Sequence, residues 1–213
     1  ERIQKVEAIK PLKGKRNKFS ILLCSGDEFI VSSEILIEES LVVGTELSSH
    51  KITFINDKNN KHILKEKIIN LISYRPRSKA EIFSRYKREG FREKELNSVI
   101  LELEERGYLN DQSFTEVYAR HLIKEKKLGP RAVQYKFIPH KINEKIFSDI
   151  LFKIYSEFDP SNLVQWHIEK FFNGRKRLIN DKKKLYNLLQ RKGFSYSDFS
   201  DLFNDLSWKE RLM

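Results

Sequence analysis

Residues 78–91 read SKAEIFSRYKREGF, residues 129–142 read GPRAVQYKFIPHKI, and residues 181–194 read DKKKLYNLLQRKGF. Each stretch opens on a residue type that caps helices: Ser78, Gly129 and Asp181. When the closing residues Phe91, Ile142 and Phe194 are aligned, the apolar positions around them coincide. Upstream these are Ile82, Val133 and Leu185, then Tyr86, Phe137 and Leu189. Downstream they are Leu96, Phe147 and Phe199, then Val99, Ile150 and Leu202, then Leu103, Ile154 and Leu206. The steps follow the stripe that one face of a helix presents. A period of about fifty residues predicts a tandem array. Each copy reads as three helices, so the expected fold is mainly α. It consists of three tandem three-helix repeats in an elongated array, behind a small N-terminal β-rich domain.

The expected divisions are a β-rich domain over 1–47, a linker or short helix over 48–61, and repeats over 62–109, 110–159 and 160–213. In KFSILLCSGDEFIVS, two apolar runs flank Ser25-Gly26-Asp27, which predicts a hairpin. IQKVEAI supplies a first strand, SEILIEES one or two helical turns, and Gly44 a break. SSHKITFINDKNNKH stays open. Ile52 to Ile55 favour a strand, whereas Ser48 and Ser49 could cap a helix.

Helix ends are marked in several places. Glu81 sits three residues after Ser78, as in a capping box. Pro130 follows Gly129 at a first helical position. Third helices begin near Arg92, Asn143 and Ser195, while Gly90, Gly107 and Gly193 suit C-terminal turns. GYLNDQSFTEVYAR, residues 107–120, crowds polar groups together. It reads as a helix start capped by Asn110 or Asp111 rather than an active site. Phe114, Val117 and Tyr118 then begin an inward stripe, aligned with Ile63 and Trp166.

The chain has 213 residues, a net charge of +11, and 33% charged residues. That balance favours a polyanionic partner. Cys24 is the only cysteine, which excludes an intrachain disulfide. No apolar run reaches the ~18 residues of a membrane span, and ERIQKVEAIK lacks the apolar centre of a secretory signal. The expectation is a soluble cytoplasmic protein.

Basic groups recur along the chain: KPLKGKRNK at 10–18, Arg75, Arg77, Arg85, Lys87, Arg88, Lys124, Lys126, Lys127, Arg131, Arg175, Lys176, Arg177, Lys182, Lys183, Lys184, Arg191 and Lys192. Phosphate contact needs cations on flexible stems and no fixed spacing. Of these, Arg75, Arg77, Arg88 and the residues from Lys124 onward form the expected DNA- or filament-binding set. Most aromatics fall on the repeated stripe and are expected in the core. Tyr74, Tyr108, Tyr135 and Tyr196 are candidates for exposure. Asp198, Asp201 and Asp205 form a ridge that reads as a solvated helix face before it reads as a metal site. The five histidines are scattered, and no phosphate loop or nucleophile elbow is present. No catalytic residue, metal ligand or cofactor is expected.

YRPRSKAEI, KREGF, VILELEERGYLNDQSFTEVYAR and KKLGPRAV together resemble the RecX family of RecA regulators. The resemblance is strongest over 74–133 and rests on the repeat period after Asp159. It marks Ser78, Glu81, Gly90, Phe91, Gly107, Tyr108, Asp111, Phe114, Gly129 and Pro130 as family-motif structural positions. It also tilts residues 48–57 toward helix. Asn110 stands where the family has a first Asp, Pro76 interrupts the Arg-Ser helix start, and FIPHKI replaces a Leu-x-x-Lys-Gly-Ile corner. The resemblance implies a non-enzymatic monomer that binds the RecA–single-stranded DNA filament, with duplex DNA as a non-specific partner. Such a protein blocks filament growth or promotes disassembly, restraining recombination, DNA repair and the SOS response.

Two rival functions differ in class. A stand-alone DNA- or RNA-binding module needs an exposed base-reading helix, and ELNSVILELEER is apolar on one face and acidic besides. A metal-dependent nuclease would use the Asp198 ridge. As a cap alone, Ser78 predicts a loss of about 1 kcal/mol in Ser78→Ala, read by thermal denaturation.

Overall fold

The computed structural model describes residues 3–14, 17–174 and 178–208. These form two compact units. One comprises residues 1–75 and 83–108, the other 76–82 and 109–213.

In the first unit, β1 (Ile3–Pro11), β2 (Lys18–Leu23), β3 (Glu28–Ser32) and β4 (Glu46–Ser48) form a sheet in the order β3-β2-β1-β4. All three pairings are antiparallel, with Ile21 opposite Ile9 and Phe29. The hairpin turns at Ser25–Asp27 as expected. The third partner strand, β4, is three residues long, too short to show an alternation. Helix α1 (Ser33–Glu38) starts on Ser32, whose hydroxyl accepts the Ile35 N–H. Val6, Ile21, Leu23, Val31, Ile35, Leu41 and Leu47 make the core under the sheet, closed by Ile55.

Helix α2 runs unbroken through Ser49–Tyr74, capped by Ser48, which accepts from the Lys51 N–H at 3.1 Å. The open segment is therefore helical, and the boundary expected at 61/62 falls inside one 26-residue helix. The reason is a polar residue on the buried face. Ile55, Asn59, Leu64 and Ile68 point inward. Asn59 donates to the Ile30 carbonyl at 3.0 Å and accepts from the Ser32 N–H at 2.9 Å. It satisfies the free edge of β3 and breaks the apolar stripe in the sequence. Beyond it, α2 packs on α4 (Glu93–Glu105), where Lys65 pairs with Glu102. Helix α3 (Lys79–Arg88) contributes its later turns here, and the Tyr86 hydroxyl donates to the Lys67 carbonyl at 2.8 Å. Gly90 and Gly107 close α3 and α4 with positive φ.

The second unit holds the first turn of α3, α5 (Asp111–Arg120), α6 (Pro130–Phe137), α7 (Glu144–Glu157), α8 (Pro160–Phe172), α9 (Lys182–Arg191) and α10 (Tyr196–Asn204). Asn110 caps α5, accepting from the Ser113 N–H at 3.0 Å. Asp111 reaches across to accept the Lys79 N–H at 3.0 Å. Asn143 and Ser195 cap α7 and α10 as expected, and Asp198 accepts the Ser195 N–H in return. Asp181 makes no side-chain cap. Asp181 nevertheless stands at the N-cap of α9 as expected, and a 3₁₀ turn over Ile179–Asp181 leads into it. Pro139 ends α6 in a 3₁₀ turn over Ile138–His140. None of the aligned apolar positions from Ile82 to Leu206 is exposed.

One inward reading fails. Val117 is 52% exposed, and Phe114, Thr115 and Ala119 carry the buried face. Trp166, aligned with Phe114, is exposed as well. The inward stripe runs through Phe114, Thr115 and Ala119, and a π turn, His121–Glu125, continues it with the buried Leu122 and Ile123.

Two junctions fix the unit. Ser78 is fully buried, accepts the Glu81 N–H at 3.1 Å and lies 2.8 Å from His140 Nδ1. The His140 ring packs on Phe114 and Tyr118. At the second junction, Lys192 and Gly193 at the end of α9 meet the start of α6. Gly129 N–H donates to the Lys192 carbonyl at 2.9 Å, and Arg131 N–H donates to the Gly193 carbonyl at 3.1 Å. A Cβ on Gly129 would lie 2.6 Å from the Gly193 oxygen.

Ser78→Ala should therefore cost about 2 kcal/mol, more than a cap alone, because a buried partner at His140 is also lost. Gly129→Ala should cost about 2–3 kcal/mol through overpacking against backbone. Gly90→Ala, strained by φ +94 but in open space, should cost about 1 kcal/mol. Urea denaturation midpoints of the three variants test this order.

Candidate nucleic-acid interface

The second junction collects basic side chains. The π turn places Lys124 and leads into Lys126 and Lys127. Lys127 has φ +53, which turns its carbonyl inward, where His167 Nε2–H donates to it at 2.8 Å. Leu128 is held on both sides: its N–H bonds the Leu122 carbonyl at 3.1 Å, and its carbonyl accepts from the Tyr155 hydroxyl at 3.3 Å. Arg131 follows on α6, and Arg191 and Lys192 arrive at the end of α9. Helix α8 adds Trp166 and Lys170. Trp166 is 38% exposed, with Lys170 Nζ at 4.6 Å and Lys127 Nζ at 5.9 Å from its ring centroid.

His167 lies beneath this surface and is buried. Burial pushes it below the ordinary imidazole pKa. The Lys127 carbonyl opposes that, and the charges of Lys192, Lys170 and Lys127 reinforce it.

Pairing separates this surface from the first unit. There, Lys51 and Lys58 pair with Glu39, Lys65 with Glu102, Lys67 with Glu89, Lys87 with Glu93, and Arg92 with Asp57 and Glu95. Among the described residues, Lys124, Lys126, Lys127, Arg131, Arg191 and Lys192 have no carboxylate partner.

The remaining expected contacts lie elsewhere. Arg75 caps the end of α2, Arg88 bonds the Ser84 carbonyl within α3, and Arg77 is half-buried against Glu81. Lys182, Lys183 and Lys184 occupy the opposite end of α9 from Lys192. Lys182 sits over Phe203, and Lys184 lies 3.4 Å from Asp181. Arg175, Lys176 and Arg177 lie outside the described residues. Trp166, His167 and Lys170 were not among the expected site residues. The signal for them is the four-residue step from Trp166 to Lys170, which puts an ammonium on an indole face.

The Ser78–His140 pair offers no nucleophile, since its hydroxyl is buried inside a helix start. Asp198 is engaged by Ser195. Among the described residues no group of carboxylate, His and Cys side chains could hold a metal, and no helix is long and apolar enough to cross a membrane.

A basic, aromatic surface of this kind on this fold invites comparison with known proteins. No family model matches the chain. The regulatory protein RecX of Oceanobacillus iheyensis is 24% identical over 215 aligned residues, covering 98% of this chain and 79% of that protein. Its counterpart in Listeria monocytogenes is 24% identical over 189 residues, with 88% and 70% covered. That of Enterococcus faecalis is 31% identical over 133 residues, with 62% and 50% covered. A crystal structure of regulatory protein RecX superposes with a TM-score of 0.68 at 22% identity, covering 95% of this chain and all of that one. The chain is therefore similar to RecX regulatory proteins over most of its length, in sequence and in fold. The crystal structure of RecX from Lactobacillus salivarius gives a TM-score of 0.56 over 71% of the chain. The RecX likeness thus takes in the sheet and the helices alike.

His167 links this surface to folding. Its pKa is lower folded than unfolded, so the folded state binds its proton less readily. The stability it contributes is complete above about pH 6.5 and is lost as pH falls below that value. His167→Gln keeps a donor for the Lys127 carbonyl and cannot titrate. The melting temperature of the unsubstituted protein should fall more than that of His167→Gln between pH 7 and pH 5, measured side by side.

Proposed function

We propose that this chain is a RecX-type regulator that binds the RecA–single-stranded DNA filament. It limits filament growth or promotes disassembly, and so restrains recombination and the SOS response without catalysing a reaction. The supporting observation is the unpaired basic surface at the junction of α6 and α9. Its cations gain nothing from neighbouring carboxylates and are available to phosphates. The repeated apolar positions support reading the helices as three three-helix repeats, with the binding surface built where the second and third repeats meet. Relatives named as regulatory proteins support regulation over catalysis.

The test is RecA's DNA-dependent ATPase on single-stranded DNA, with this chain added from far below to equal stoichiometry. Inhibition well below equimolar is expected. The combined variant Lys124→Glu, Lys126→Glu, Arg191→Glu should need at least about tenfold more protein and show a flatter salt dependence, since each lost phosphate contact removes ~0.7 from the slope on single strands. Unaltered inhibition by the folded variant would move the binding surface elsewhere. No inhibition by the unsubstituted chain would leave a nucleic-acid-binding module without this partner.

A further inference from the structure

We propose that Trp166 is a stacking platform for an unpaired nucleobase, with Lys127 and Lys170 as the phosphate-holding arms on its flanks. This deepens the nucleic-acid part of the function proposed above and rests on it.

The site is distinguished by what surrounds it. Several aromatics are exposed, among them Tyr74, Tyr135, Phe152 and Tyr196. None of these four has an ammonium over its ring. Phe54 does, with Lys51 Nζ at 5.0 Å, but Lys51 is held at 2.6 Å by Glu39. Over Trp166 stand two lysines with no carboxylate partner. A ring face covered only by mobile ammoniums can be uncovered when a polyanion draws those ammoniums to phosphates. The positive charge stays in place, and a base takes the face.

The platform is also rigid. Trp166 stands on α8, whose Leu163, Val164 and Ile168 are buried. The next residue, His167, packs edge-on against the indole at 4.9 Å and against Phe194, and is bonded to the Lys127 carbonyl. One side chain therefore fixes both the indole and the backbone of one flanking lysine. Ordering the site on binding costs little, because the backbone is already set. Stacking on an aromatic is tolerant of sequence and available only to unpaired bases, so the site should favour single strands over duplex.

The test uses oligo-dT and an abasic deoxyribose-phosphate strand of the same length, with binding followed by anisotropy. Trp166→Ala should weaken oligo-dT binding about tenfold or more, leave the abasic strand unaffected, and leave duplex binding unaffected. Trp166→Phe should recover most of the loss. In Trp208→Phe, where Trp166 is the only indole left, oligo-dT should quench fluorescence and the abasic strand should not. This second reading stands even if Trp166→Ala fails to fold. Unchanged oligo-dT affinity in folded Trp166→Ala, or no quenching in Trp208→Phe, overturns the stacking site and leaves the nucleic-acid reading intact. If the unsubstituted chain binds neither strand, the nucleic-acid part of the proposed function falls with it.

Discussion

The second unit depends on a helix end capped by another helix end. The first N–H groups of α6 have no partners within their own helix, and neither do the last carbonyls of α9. Each solves the other's deficit through the Gly129–Lys192 and Arg131–Gly193 bonds. The two dipoles then run head to tail, negative end to positive end. The two glycines serve this contact differently. Gly193 has φ +90 and would overlap Ala132 if it carried a side chain, whereas Gly129 has an ordinary φ and is needed for space alone. Pro130 suits the same start because its missing N–H is not required there.

The junction carries a cost that folding alone does not explain. Arg191 and Lys192 sit favourably at the negative end of α9, but Arg131 lies in the first turn of α6, where a cation opposes the dipole. Lys126 and Lys127 bring further like charge into the same region. In the first unit comparable cations are matched by carboxylates. Exposed pairs contribute only about 0–1 kcal/mol each, so their chief effect is to cancel the local field. Around the junction of α6 and α9 that cancellation is missing, since Lys126, Lys127, Arg131, Arg191 and Lys192 have no carboxylate partner. A positive field maintained against the helix dipole is what a polyanion-binding surface requires.

The helical stripe was legible because Ile82, Val133 and Leu185, with their companions, repeat at a spacing only helices produce. Four features were not. Helix α2 hides behind Asn59, an inward position that serves the β3 edge and so must be polar. The π turn is written in HLIKE, whose residues suit an ordinary helix equally well. The set of cations was visible, but its grouping was not. Lys127 and Lys192 are far apart in sequence and are joined by glycine backbone contacts that leave no apolar signature. Trp166 reads inward by its alignment with Phe114, and that alignment does not mark the two lysines that stand over its exposed ring.

The arrangement of rigid and mobile parts bears on how such a surface can act. The backbone from Leu122 to Gly129 is fixed at His167, Tyr155 and Lys192, yet of the lysines it carries Lys127 is held only by its contact with the Trp166 indole, and none has a carboxylate partner. Attraction to phosphate can therefore be gained with little ordering of the main chain, and the remaining cost is lysine rotamer entropy. Lysine ammoniums act as point charges with freely rotating donors and no fixed fork. They tolerate phosphates at variable spacing. A surface built mainly from bidentate arginines would demand one strand geometry. Here Arg131 and Arg191 are joined by Lys124, Lys126, Lys127, Lys170 and Lys192, so geometric tolerance outweighs geometric selection, and an aromatic face is the element left to tell an unpaired base from a paired one.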